Sequence, residues 1–292
     1  MTTAPRHVRV YGNDHSPWVQ AVLLGLHEAG IDHALETAPP WSVFWASGVL
    51  MPAAQLSGQQ RNDQQIDDPA WQLDSGRILA ALGYSEVDAK RQRALGQLFM
   101  QAAMHRVDDP WQFWERFSHV SDGDPSRLRQ LWNHVWRAFP VFYFFVLISL
   151  GRRRVPNRDE AGLLTAFERI QADLPPDGGL FGGTVPDTAD LQLFGIVQMC
   201  ASIPGLPLAV LREAPSLERL RRWITTMQER FHRYRHLYTA QVFEPKAPAP
   251  REASAFECAL YWVGAALCWI ALPISLALVL WFTVRIRRHG LV

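Results

Sequence analysis

Ser16, followed at once by Pro17, stands ahead of the first helical pattern in the chain, Pro17 to Ala29. A serine there is a natural helix cap, and proline suits the first helical position. The same helix start carries partial positive charge, so a hydroxyl beside it is also placed to meet an anion. His15 adjoins Ser16, and Tyr11 ends the strand before it. Further on, Met51 precedes Pro52, and Asp74 with Ser75 offers an acid and a hydroxyl at another helix start. The cysteines, Cys200, Cys258 and Cys268, are scattered, with no CxxC spacing. They form neither a disulfide framework nor a zinc site and read as small buried hydrophobes. No metal is expected. No phosphate-cradling glycine loop or hydrolase elbow is present. A net charge of +1 gives no electrostatic footprint for nucleic acid.

The elements that must position these residues divide the chain. Residues 1–84 mix short strands with helices. His7 to Tyr11 alternates as a strand, the helix from Pro17 has Val19, Val22, Leu23 and Leu26 as its apolar stripe, and Ile31 to Glu36 reads as a second strand. Residues 85–240 are helical in every strong pattern. The short apolar run Val141 to Leu150 reads as a core helix, Asp187 with Asp190 starts a helix, and another runs from Ser216. Residues 241–257 include the proline-rich stretch Glu244 to Ser254 and read as a semi-rigid linker.

Residues 258–284 carry no charge. As one helix they reach about 40 Å against a hydrocarbon core of about 30 Å. Tyr261, Trp262 and Trp281 suit the interfaces, and Pro273 is tolerable in a membrane helix. A single-pass C-terminal anchor in a lipid bilayer is therefore expected, followed by the basic tail 285–292. The arginines of that tail, Arg285, Arg287 and Arg288, argue for a cytoplasmic tail. The N-terminus lacks a signal-peptide pattern, which argues for a cytoplasmic body, and this is given the greater weight.

Residues 8–36, VRVYGNDHSPWVQAVLLGLHEAGIDHALE, resemble the opening of the soluble glutathione transferases, most closely the classes with a catalytic serine. Val49 to Leu56 resembles the family's strand entry at a cis-proline. Leu73 to Leu79 resembles its acid-serine turn and helix, and Phe181 to Asp190 its capping motif. The resemblance covers roughly residues 7–235. It implies a thioredoxin-like N-terminal domain and an all-helical second domain, joined here to the transmembrane helix. It makes glutathione the co-substrate, with no other cofactor. Ser16 would activate the thiol, Met51 and Pro52 would pair with the cysteinyl backbone, and Asp74 and Ser75 would hold the γ-glutamyl group. Tyr11 could take the activating part or line the site, but at the end of its strand it reads as a packing residue; His15 could line the site, although a histidine in such a loop is usually exposed. Two departures stand out: a polar insertion, Ser57 to Pro69, and the aromatic stretch Pro39 to Trp45 where the family has a glutathione-touching helix.

Two functions follow as expectations. One is a membrane-anchored glutathione transferase-like protein that conjugates glutathione to hydrophobic electrophiles, in a family that often forms homodimers. The alternative is a non-catalytic adaptor of the same fold that docks partners at a membrane.

Overall fold

The first strand, β1 (Val8–Tyr11), buries Val8 and Val10 and turns Arg9 outward. The Arg9 guanidinium there meets Glu36 at 2.6 Å and Gln55 at 3.1 Å, tying three adjacent strands. This computed structural model describes residues 8–56, 71–103, 105, 126–151, 159–203, 208–240, 244–245 and 253–288. The expected insertion Ser57 to Pro69, most of the linker, and residues 289–292 of the tail lie outside the described residues.

Helix α1 (Pro17–Glu28) follows β1, then β2 (His33–Glu36), α2 (Trp41–Ser47), β3 (Ala53–Leu56), β4 (Trp71–Leu73) and α3 (Ser75–Ala81). The sheet order is β2-β1-β3-β4; β1 and β2 are parallel, while β3 runs antiparallel to both β1 and β4. A βαβ unit followed by a ββα unit in this order is a thioredoxin-like domain. The Met51–Pro52 peptide bond is cis.

The helical part comprises α4 (Ala89–Ala103), α5 (Arg127–Gly151), α6 (Glu160–Ala172), α7 (Thr188–Ser202), α8 (Leu208–Glu213) and α9 (Glu218–Arg230). Helix α1 is buried on more than its predicted stripe, because it lies between the sheet and α7. Gly195 permits that approach: a Cβ on it would sit 2.2 Å from the Pro17 carbonyl oxygen. Asp187 and Asp190 form a reciprocal capping box at the start of α7. Asp190 is wholly buried, which pushes its carboxyl up. Its oxygens accept from the backbone N–H groups of Gly182, Asp187 and Phe181 and from the Trp223 indole, and these oppose the shift.

The C-terminal segment corrects the sequence reading. In place of one helix there are two, α10 (Ala255–Ile270) and α11 (Leu272–Arg288), bent by 88° at Ala271. Pro273, two residues beyond Ala271, has no N–H to donate to the preceding turn. No single described helix is long and apolar enough to cross a membrane; the bent pair passes only when taken together. Nor does the segment stand apart from the body. Tyr261, Ala265, Cys268, Val279, Phe282 and Ile286 join Phe44, Val49, Phe142 and Tyr143 in a second core.

Candidate functional site

One row of the sheet positions the predicted residues. Glu36, Tyr11, Ala53 and Leu73 are successive partners across β2, β1, β3 and β4. The loop Gly12–Ser16 leaves from Tyr11, Met51 and Pro52 enter at Ala53, and Asp74 and Ser75 follow Leu73. The strand directions thus bring all three segments to the same edge of the sheet. Asn133 of α5 reaches that edge too, donating to the Thr37 hydroxyl at 2.9 Å.

Ser16 is half-buried and occupies the N-cap position of α1 with extended backbone, φ −75° and ψ 128°. Its backbone is committed: its N–H donates to Asn13 at 2.8 Å and its carbonyl accepts from Gln20 at 2.9 Å. Its hydroxyl makes no capping bond and no other hydrogen bond among the described residues. The hydroxyl therefore stays available beside the positive end of a 12-residue helix.

The Met51 backbone N–H and carbonyl enter no hydrogen bond among the described residues. Such an open pair next to a strand is what an extended peptide satisfies. The Met51 sulfur, 3.3 Å from the Asn13 backbone N–H, accepts from it and ties this edge to the Ser16 loop.

Across the row, Ser75 is buried and its oxygen accepts from Gln192 of α7 at 3.3 Å, which leaves its proton free to donate. Asp74 has a left-handed backbone, φ 77°. One of its carboxylate oxygens caps α3 through the Arg77 N–H at 3.0 Å, so the capping and binding readings of Asp74 coexist on one side chain.

Tyr11 packs, buried with Val43 and Ala53, and burial pushes its hydroxyl well up; it does not line an open surface. His15 is no exposed loop residue. It is buried and stacked on Tyr238, ring centres 5.2 Å apart.

The latter contact belongs to a network that sequence reading missed. Asp14 is buried; one oxygen accepts from His236 Nδ1 at 2.9 Å and from the Tyr238 hydroxyl. Gln20 donates to the Asp14 carbonyl at 2.6 Å and to the His236 carbonyl at 3.3 Å, and accepts from the Tyr234 hydroxyl at 3.1 Å. Burial alone would raise the Asp14 pKa. The His236 hydrogen bond, the His15 and His236 charges and the Tyr238 bond outweigh it and hold the carboxyl far below the usual carboxylate range. Arg137 of α5 faces the same region; burial pulls its guanidinium down to about 10, opposed by Tyr261, Asp14 and Glu257. One turn earlier on α5, His134 Nε2 lies 3.5 Å from the Glu257 carboxylate of α10. No short-range spacing could have revealed this set, since Asp14 meets partners 222 and 224 residues away.

A cleft of about 400 Å³ opens at the far end of α1, lined by Glu28, Tyr84, Gly182 and Asp187 among others, away from Ser16. Among the described residues no group of three or more His, Cys, Asp and Glu side chains could hold a metal ion.

No protein-family model matches the chain, and no curated protein matches it. Among solved structures it is similar to glutathione transferase Omega 2S from Trametes versicolor, with 14% identity over 91% of this chain and 95% of that one, at a TM-score of 0.40. The Omega 1C enzyme of the same fungus matches at 14% identity over 90% and 96%, with a TM-score of 0.43. A theta class glutathione S-transferase from Xanthomonas axonopodis pv. citri, with glutathione bound, matches at 16% identity over 81% and 99%, with a TM-score of 0.42. These are loose likenesses; the fold rests on strand order and register.

Proposed function

We propose that the protein binds glutathione at the sheet edge formed by Ser16, Met51 and Ser75, and that it transfers the thiolate to hydrophobic electrophiles. The observation that carries this reading is the uncommitted Ser16 hydroxyl at the start of α1, on the same edge as the open backbone pair of Met51. An unperturbed thiol has a pKa of about 8.5, so most of it is protonated at neutral pH. The thiolate is the nucleophile. A hydroxyl donor and a helix start both favour the anion. Met51 pairs with the cysteinyl backbone, while Ser75 donates to the γ-glutamyl carboxylate and the free oxygen of Asp74 accepts from its ammonium. The apolar segment 258–284 suits a bilayer as the place where this chemistry meets lipid-soluble substrates.

A second reading, a non-catalytic adaptor, is favoured by His236 and Tyr238, which pack against Asp14 and His15, the two residues ahead of Ser16. Calorimetric titration of the full chain in mild detergent with glutathione, paired with a conjugation assay on an aryl halide, separates the two. A hydrogen bond to a charged partner contributes roughly 1.5–3 kcal/mol, so Ser16→Ala is expected to lower kcat/KM about 10- to 100-fold. Glutathione affinity should change little, and the pKa of the bound thiol should rise. Absence of glutathione binding by the wild type overturns the enzyme reading.

A further inference from the structure

Helices α10 and α11 have an inside and an outside, yet no polar outside. The inner positions Tyr261, Gly264, Ala265 and Cys268, then Ser275, Val279, Phe282 and Ile286, follow helical spacing and pack on the body. Every exposed residue between Ala255 and Val284 is apolar. Ile270 is 80% exposed and Ile274 67% exposed, on either side of the bend. A helix that faces water on one side carries polar residues there. This pair has none, so something apolar covers it.

We infer that the outer face of α10 and α11 lies in the plane of an anionic phospholipid bilayer, with the helix pair docked on the body rather than crossing the membrane. Straightening the pair into a span would strip the inner faces from α5 and α2. It would also break the His134–Glu257 contact and expose Phe142 and Tyr143. Tryptophans border the face where headgroups meet acyl chains: Trp262, Trp269 and Trp281, with Trp45 of α2 edge-on to Trp281 at 5.9 Å. The bordering charge is positive. The Arg285 guanidinium sits 5.3 Å over the Trp281 ring, and the sequence continues with Arg287 and Arg288. Arginines flanking an apolar, tryptophan-bordered helix face complement anionic headgroups. A protein partner fits less well, because protein interfaces carry about one hydrogen bond per 100–200 Å², and these exposed side chains offer almost no donors or acceptors.

The test does not depend on the thiol site. The purified full chain is diluted from detergent into preformed vesicles of phosphatidylcholine with phosphatidylglycerol, or of phosphatidylcholine alone, and floated. The wild type should float with the anionic vesicles and less with the neutral ones. Ile270→Glu and Ile274→Glu should each weaken vesicle binding about tenfold or more with the melting temperature unchanged, since a charge at bilayer depth is costly. Topology is read in a Cys258→Ser background with Arg93→Cys or Gly290→Cys and a membrane-impermeant maleimide. Labelling of both sites supports the in-plane arrangement; labelling of Arg93→Cys with protection of Gly290→Cys establishes a span and overturns it. Absence of flotation also overturns it, whether the protein is monomeric or forms a dimer that Ile270→Glu dissociates, in which case a second copy is the occupant. Glutathione titration in detergent reports separately on the site.

Discussion

Asp14 is the residue on which the loop carrying Ser16 and the segment Tyr234–Thr239 meet. Its carboxylate is buried, held ionised by His236, His15 and Tyr238, and one of its oxygens has no hydrogen-bond partner among the described residues. Because its pKa is depressed in the folded state, its contribution is present in full above the ordinary carboxylate value of about 4. That contribution is lost as pH falls from there through the folded-state value. Asp14→Asn should therefore destabilise the protein by about 2 kcal/mol at neutral pH. Urea melts of the two proteins should converge as the pH drops below about 4; an unchanged gap would show that the charge is not what holds the segment. The residues nearest in sequence to a structural signal were the legible ones. Ser16 before a proline, Met51 before a proline and Ser75 at a helix start are all local patterns. Asp14, His236 and Tyr238 form one site only because the chain returns after the whole helical domain. Burial also decides whether Tyr11 and His15 face solvent, and a loop position alone does not reveal it.

At the scale of elements, two glycines with the same constraint make different predictions. Gly195 lets α7 lie against α1, and a Cβ there would meet the Pro17 carbonyl oxygen at 2.2 Å. Gly264 does the same for α10 on α5, where the Val135 carbonyl oxygen would lie 2.2 Å away. Both clashes are with backbone, which yields less readily than a side-chain tip, so each alanine should cost at least the 1–3 kcal/mol typical of overpacking, about. Gly195→Ala sits at the centre of the main core and should destabilise the whole fold, read as a lower midpoint of the cooperative melt. Gly264→Ala should instead loosen α10 selectively, read as faster amide exchange in 255–270 with protection of α1 retained. Equal behaviour of the two would mean that α10 is as integral as α7. Helix α1 was readable because cap, proline and apolar spacing agree within it, and α7 because Asp187 and Asp190 cap an apolar run. The bend is not legible in the sequence, because over 258–284 the strong signal is hydropathy. Hydropathy registers Pro273 as compatible with a span and says nothing of the missing N–H that ends α10 near Ala271. The helix of Trp41–Ser47 was also hidden, since Phe44 packs on Trp136 and Phe282, which lie far along the chain.

At the scale of the molecule, the C-terminal pair behaves as part of the body, and this sets the outcome of removing it. A tether joined by a linker could be cut away with the domains left intact. Here the cut would remove Tyr261, Cys268, Val279, Phe282 and Ile286 from a core they share with Phe44, Val49, Phe142 and Tyr143. Each fully buried large side chain contributes roughly 1.5–3 kcal/mol. The loss is then on the order of 10 kcal/mol before relaxation, comparable with the whole margin of 5–15 kcal/mol that holds a typical protein folded, approximately. The main core around α1 and α7 shares none of these residues and keeps its own packing. A chain ending at Ala253 should therefore retain secondary structure but bind a hydrophobic dye, lose protease resistance in α5 and melt well below the full chain. The comparison is made in detergent, so that membrane attachment plays no part. A truncated protein that melts with the full chain and resists protease equally would return the segment to the status of a simple tether, and with it the geometry from which in-plane docking was inferred.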